Sequence, residues 1–127
     1  MSDRRTTHFN PEVDRKMHCT CCGEGQMSVG ILMFLEHIRA HFDAPVLLHS
    51  SPRCKQYNAK VGGSKNSEHL IREGEDNDVA DFSVKGVSTK ELHLYVKSLP
   101  YANLLGIGYY PKQGFVHVDL RGYAARW

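Results

Sequence analysis

The sequence predicts an α+β domain in which a small antiparallel sheet is flanked by helices. Two segments, beginning near Met27 and Ser88, carry the apolar period of an amphipathic helix. Four others are strand-like, and the last two of these are joined by a short turn that contains Pro and Gly. The length of 127 residues suits one domain of average size. We therefore expect a single domain over residues 1–127.

The N-terminal third predicts an arm, a helix and a strand. Residues 1–26 are polar and interrupted by Pro and Gly, which indicates an irregular N-terminal arm packed on the domain. From Met27, apolar side chains recur at helical spacing, and these are Ile31, Leu35, Ile38 and Phe42. Pro45 precedes the apolar run 46–49, which is typical of a short buried strand.

The rest of the chain alternates between loops, strands and one more helix. Residues 50–68 are rich in Ser, Gly and Asn, and a loop of this length in a small domain is usually functional or disordered. Residues 79–84 alternate as a strand does. A capping box at 88–91 opens a helix that Pro100 stops. Two strands follow, at 104–110 and 115–120, joined by a hairpin turn at 111–114.

Composition and charge argue against several classes of protein. Hydrophobic residues make up 41% and charged residues 24%, as in soluble globular proteins. The net charge of +2 gives no electrostatic footprint for nucleic acid or for an acidic membrane. The charged N-terminus lacks the apolar segment of a secretory signal. We expect a monomer that is cytoplasmic as synthesised and has neither nucleic acid nor membrane as a partner.

The histidine content points toward metal chemistry, whereas the spacing of the cysteines fits no standard metal site. Eight histidines exceed what an ordinary domain of this size carries, and imidazole is the commonest protein ligand for transition metals. The four cysteines match neither a paired CxxC framework nor a disulfide scaffold. We expect partly buried thiols or one disulfide, with a structural zinc as the alternative. The thiols are Cys19, Cys21, Cys22 and Cys54, and the ligands of the zinc alternative are His18, Cys19, Cys22 and Cys54.

The strand patterns place polar side chains together on one sheet face. In the strand 115–120 the apolar residues alternate, so His117 and Asp119 share the opposite face. Burial of the apolar side of the strand 79–84 likewise puts Asp81 on its other face. Either strand alone is also explained by polar side chains that face solvent. If the strands are neighbours, however, these groups line a common cleft.

A second histidine completes a catalytic type of zinc site. His69 follows the Gly-rich loop, and with Asp81 and His117 it gives two imidazoles and one carboxylate, a set that leaves one zinc position open for water. Such a site needs a base and a cation for the developing oxyanion. Asp119 is the predicted base and Arg53 the predicted cation.

A series of short motifs then follows in order along the chain. They are Ser51-x-Arg53-Cys54, Tyr57-Asn58, Val61-Gly62-Gly63, Ser67-x-His69, Ala80-Asp81, Gly106-x-Gly108-Tyr109, Phe115-Val116-His117-Val118-Asp119 and Arg126-Trp127. The set resembles the zinc D-Ala-D-Ala carboxypeptidase family of metallopeptidases, and in particular its murein-endopeptidase branch, which includes phage endolysins. The resemblance implies zinc on His69, Asp81 and His117, an Arg53 that contacts the substrate or oxyanion, and hydrolysis of peptidoglycan stem peptides. It also implies the fold shared with the hedgehog signalling domain, with zinc on the exposed face of a small antiparallel sheet.

The sequence departs from the family pattern in two places. The family usually separates its first His and its Asp by seven residues, whereas His69 and Asp81 are twelve apart, which makes Asp76 a rival ligand. We favour Asp81 because it lies in a strand pattern. Many relatives also carry an acid or His just before the last ligand, where this chain has Gly and Phe. Asp119 is therefore the nearest candidate base, with Glu68 as the weaker one.

These observations predict a zinc peptidase that acts on peptidoglycan stem peptides, as an endopeptidase or a D,D-carboxypeptidase. We expect a phage or prophage lysin that reaches the periplasm or cell wall after release during lysis. One alternative is a non-catalytic binding module of the same fold that zinc stabilises. A cysteine hydrolase using Cys54 is a third possibility, but it leaves the other ordered motifs unexplained.

Overall fold

A computed structural model describes residues 27–50 and 77–127 of the chain. The predicted arm over 1–26 and nearly all of the predicted loop over 50–68 lie outside the described residues. In chain order the elements are α1 (Val29–Phe42), β1 (Val46–Ser50), β2 (Val79–Val84), α2 (Thr89–Lys97), a 3₁₀ turn (Ala102–Leu104), β3 (Gly106–Tyr110), β4 (Phe115–Asp119) and β5 (Ala125–Arg126).

Both helices begin at a serine that caps the first turn. The hydroxyl of Ser28 accepts a hydrogen bond of 3.1 Å from the backbone N–H of Ile31 at the start of α1. Ser88 does the same for Glu91 at the start of α2, also at 3.1 Å, as its capping box predicts. These caps satisfy backbone donors that have no partner within the helix.

The five strands form one open sheet in the order β1-β2-β4-β3-β5. The first four strands pair antiparallel, as the sequence predicts. A fifth strand that the sequence did not predict extends this antiparallel sheet at one edge, where β5 pairs parallel to β3. Gly122, with φ of 88°, supports the reversal after β4, and its N–H donates to the carbonyl of Leu104 at 2.9 Å. The chain thus passes the start of β3 and runs along its free edge.

Strand ends differ slightly from the predicted ones. The strand predicted over 104–110 begins at Gly106, because the chain first makes the 3₁₀ turn. The strand predicted over 115–120 ends at Asp119. The strand predicted over 46–49 extends to Ser50, with an irregular register between Leu48 and Ser50.

One sheet face and the two helices enclose the hydrophobic core. The apolar sides of the alternating strands point into it, as predicted, and the ring of Phe34 in α1 packs edge-on against Phe82 of β2 at 5.9 Å. The buried strand residues of this face are Ala80, Phe82, Val84, Ile107, Val116 and Val118. No helix in the described ranges is long and apolar enough to span a bilayer. The predicted α+β class is confirmed, and the opposite sheet face carries the polar residues of interest.

Candidate functional site

Strand register brings Asp81 and His117 together. Asp81 of β2 lies directly opposite His117 of β4, and the Nδ1 atom of His117 is 2.8 Å from Oδ1 of Asp81. Both residues are only 7% exposed. Directly opposed residues on neighbouring strands share a face, so the alternating patterns of two separate segments converge on one contact.

The other nitrogen of the His117 ring meets Asp119. Nε2 of His117 is 2.7 Å from Oδ2 of Asp119, two residues along the same strand. The imidazole therefore lies between two carboxylates, with one ring nitrogen on each. A ring held at both nitrogens has little freedom to rotate about its side-chain bonds.

Arg121 closes the far side of Asp119. Its Nε donates to Oδ1 of Asp119 at 2.6 Å and its second guanidinium nitrogen donates to Oδ2 at 2.8 Å. This forked, charge-assisted geometry is the strong form of an arginine–carboxylate pair. Gly106 lies opposite Asp119 in β3, and a Cβ atom there would come within 2.5 Å of both Arg121 Nε and Asp119 Oδ1. The missing side chain of Gly106 makes room for the pair.

The charges of this cluster shift the titration of its members. Burial alone would lower the pKa of His117, but hydrogen bonds and negative charge from Asp119 and Asp81 outweigh it and raise that pKa to about 8. Burial alone would raise the pKa of Asp119, but the hydrogen bonds and charges of Arg121 and His117 lower it to about 2. Asp119 is 1% exposed. This burial rules out the simple explanation that the polar residues of these strands face solvent.

A family model described as Peptidase M15 matches residues 7–119. The chain belongs to the peptidase M15 family. The matched range spans most of the chain and includes Asp81, His117 and Asp119, so it confirms the resemblance drawn from the ordered motifs. Comparison with curated proteins and with solved structures gave no match.

Several residues predicted for the M15 site fall in the stretches that are not described, namely His69, Arg53, Glu68 and Asp76. The same is true of the residues predicted as thiols, a disulfide or a separate structural zinc, which are His18, Cys19, Cys21, Cys22 and Cys54. The predicted ligand set is therefore represented by Asp81 and His117. Within the described ranges, no group of three or more His, Cys, Asp or Glu side chains is arranged to hold a metal ion.

The two described candidate ligands have the chemistry that zinc requires, since a carboxylate oxygen and an imidazole nitrogen are both ordinary zinc donors. Their atoms are 2.8 Å apart, which is a hydrogen-bond distance. Ligand atoms in tetrahedral zinc geometry are roughly 3.3 Å apart, so binding of zinc between them would replace this hydrogen bond. The second ring nitrogen of His117 faces Asp119. A ligating histidine almost always gives its other N–H to such an acceptor, which fixes its tautomer and orientation.

Trp127 and two glycines belong to this site in ways that the sequence interpretation missed. The indole of Trp127 lies 4.9 Å from the His117 ring, centroid to centroid. Gly108, opposite His117 in β3, leaves room for it, since a Cβ atom there would lie 2.7 Å from the indole Nε1. The signal was present in the motif Gly106-x-Gly108: two glycines at strand spacing match the spacing of His117 and Asp119.

Proposed function

We propose that this M15 peptidase is a zinc-dependent hydrolase of peptide bonds in peptidoglycan stem peptides, acting as an endopeptidase or a D,D-carboxypeptidase. The observation that carries the proposal is the buried contact between Asp81 and His117. The other ring nitrogen of His117, Nε2, contacts Asp119. Membership of the M15 family supports a peptidase.

Zinc would be held by His69, Asp81 and His117. Zinc in such a site activates a water molecule and polarises the scissile carbonyl. The protein's part is to present the two imidazoles and the carboxylate, and His117, whose pKa is raised to about 8 in the metal-free protein, would release its proton as zinc binds. The described strands fix Asp81 and His117 through register and burial, while the placement of His69 rests on the sequence motif.

For Asp119 we propose that it holds His117 in position. Proton transfer needs a group whose pKa lies near the working pH, whereas the pKa of Asp119 is lowered to about 2. Its oxygens accept from Arg121 and contact His117. The role of general base, which the sequence predicts for Asp119, stays a prediction. If Asp119 instead positions His117, Glu68 becomes the first candidate base.

Arg53 is proposed to contact the substrate. A guanidinium does not ligate zinc, but it donates a forked pair of hydrogen bonds to an oxyanion or to a carboxylate of the stem peptide. A cation is needed near the scissile carbonyl to stabilise the developing oxyanion, and the guanidinium of Arg121 already donates to Asp119. This role for Arg53 rests on its motif in the predicted loop.

The biological setting that we propose is lysis by a phage or prophage. The protein would be made in the cytoplasm, act as a monomeric single domain, and meet peptidoglycan after its release to the periplasm or cell wall. Its partner would be the stem peptide rather than nucleic acid or a membrane, in keeping with a net charge of +2.

Digestion of purified muropeptides tests the proposal. The protein is incubated with muropeptides with and without a chelator, and the products are identified by mass. We expect cleavage within the stem peptide that the chelator abolishes and added zinc restores. Binding without any cleavage would replace the hydrolase with the zinc-stabilised binding module, and the product masses name the bond that is cut.

A further inference from the structure

The indole of Trp127 is both exposed and next to the candidate ligand His117. It is 47% exposed, and its ring lies 4.9 Å from the His117 ring at an angle of 52°. An aromatic side chain that served packing alone would gain most from full burial. The position of Trp127 therefore calls for an explanation other than the core.

Several contacts hold this exposed ring in one place. The backbone of Trp127 pairs with β3, since its N–H donates to Ile107 at 3.1 Å and its carbonyl accepts from Tyr109 at 2.9 Å. The indole Nε1–H donates to the hydroxyl of Tyr110 at 2.6 Å. Gly108 leaves the space that the ring occupies. The guanidinium of Arg121 lies over the ring, 5.1 Å from its centroid. The side chain is thus oriented by its hydrogen bond to Tyr110, by Arg121 and by the shape of the sheet beneath it.

Trp127 continues a row of rings that crosses the sheet beside the candidate ligands. The rings of Tyr110 and Phe115 stack at 4.8 Å, and Phe115 lies 5.5 Å from His49 of β1. Tyr110 and Phe115 lie opposite each other in β3 and β4. Each is two residues along its strand from the opposed pair Gly108 and His117. Alternate residues of a strand share a face, so this aromatic row, His49–Phe115–Tyr110–Trp127, lies on the face that carries His117.

We infer that Trp127 is a substrate-binding residue whose exposed indole face packs against the stem peptide beside the bond that is cut. The inference rests on the proposed function. A bond hydrolysed at Asp81 and His117 must come within a few ångströms of both, and the indole lies at that distance from His117. A stem peptide ending in D-Ala-D-Ala offers methyl groups and Cα–H edges, which suit a flat apolar surface. An extended peptide also matches a row of rings that crosses several strands.

The protein's single tryptophan makes the inference directly measurable. Because all indole fluorescence comes from Trp127, stopped-flow mixing of the zinc-loaded protein with a purified disaccharide-pentapeptide muropeptide reports contact at this ring. We expect a change in emission during the binding phase, before turnover. Unchanged emission at saturating muropeptide would overturn the inference.

Variants then separate substrate binding from a structural role. Trp127→Ala should raise KM by roughly tenfold or more, as for a central aromatic contact, with zinc content and kcat close to those of the unchanged protein. Trp127→Phe should be intermediate. Tyr101→Ala removes an aromatic ring that is 38% exposed in the turn after α2, and it should leave KM unchanged. An unchanged KM in Trp127→Ala would contradict the inference.

Gly108→Ala gives an independent route if Trp127→Ala does not fold. Its Cβ would meet the indole Nε1 at 2.7 Å and the Tyr110 ring at 2.8 Å, so it should displace the indole and raise KM while Trp127 remains in the chain. A folded Gly108→Ala protein whose shifted fluorescence emission shows that the indole has moved, but whose KM is normal, would count against the inference. If the unchanged protein cleaves muropeptides while these variants keep a normal KM, only this inference fails. If it cleaves none, yet its emission responds to them, the proposed hydrolase fails and the binding surface stands.

Discussion

His117 and Asp119 lie two residues apart on β4, with Nε2 of the imidazole 2.7 Å from Oδ2 of the carboxylate. Residues at this spacing on a strand share a face, and here both are buried in the sheet's polar face. Arg121 holds the carboxylate from its other side at 2.6 Å. Arg121, Asp119, His117 and Asp81 thus form a chain of hydrogen bonds that ends at the two candidate zinc ligands, His117 and Asp81.

The first prediction concerns Asp119→Asn. The amide removes the negative charge that fixes the His117 tautomer, so we expect zinc affinity to fall by about 10–100-fold, with an activity loss that excess zinc recovers. Competition against a chelating dye measures the affinity. Asp78→Asn is the matched control, because Asp78 is exposed. Normal zinc affinity with turnover reduced roughly a hundredfold would instead make Asp119 the general base.

Gly106→Ala should disturb the same pair without changing any charge. The added Cβ would lie 2.5 Å from Asp119 Oδ1 and from Arg121 Nε, so one of the two side chains must move. We expect weaker zinc binding of the same order as in Asp119→Asn. Isothermal titration with zinc measures it. Zinc binding as tight as in the unchanged protein would show that the Asp119–Arg121 pair is dispensable.

The choice between Asp81 and Asp76 is tested by two alanine variants. Asp81 contacts His117 at 2.8 Å from the neighbouring strand, so Asp81→Ala should lower both zinc occupancy and muropeptide cleavage. Asp76→Ala should leave both nearly unchanged. Elemental analysis and product formation are measured on the same samples. The reverse pattern would assign the second ligand to Asp76.

The metal-free protein should lose stability as pH rises past neutrality. The pKa of His117 is raised from 6.5 to about 8 in the folded protein, so its stabilising effect is complete below pH 6.5 and is lost as pH rises through about 8. The shift corresponds to about 2 kcal/mol. Urea unfolding of chelated protein at about pH 6 and about pH 9 measures it. His117→Gln should flatten the dependence, and an equal pH slope in both proteins would contradict this prediction.

Most of the fold could be predicted because its signals are local. Apolar period and a serine cap define α1 and α2, and alternation defines the core side of β2 and β4. The parallel strand β5 could not be predicted in this way. It contains two residues, Ala125 and Arg126, so it has no alternation to detect, and its pairing depends on the turn around Gly122.

The site was predictable to the extent that it depends on strand faces. Alternation places Asp81, His117 and Asp119 on the polar face, but it does not give register, which decides that Asp81 lies opposite His117. Nor does it show that Arg121 reaches back to Asp119, because such a contact depends on side-chain conformation. The positioning role that we propose for Asp119 depends on that contact, since the hydrogen bonds and charges of Arg121 and His117 outweigh burial and lower the pKa of Asp119 to about 2.

The zinc content of the unchanged protein, purified without added metal, tests the central claim most directly. Two imidazoles and a carboxylate suit zinc better than calcium or magnesium, so elemental analysis should find about one zinc per chain by the three-ligand assignment. Its removal should abolish cleavage of muropeptides, and its return should restore it. A preparation that contains no metal and cleaves at full rate would contradict the account.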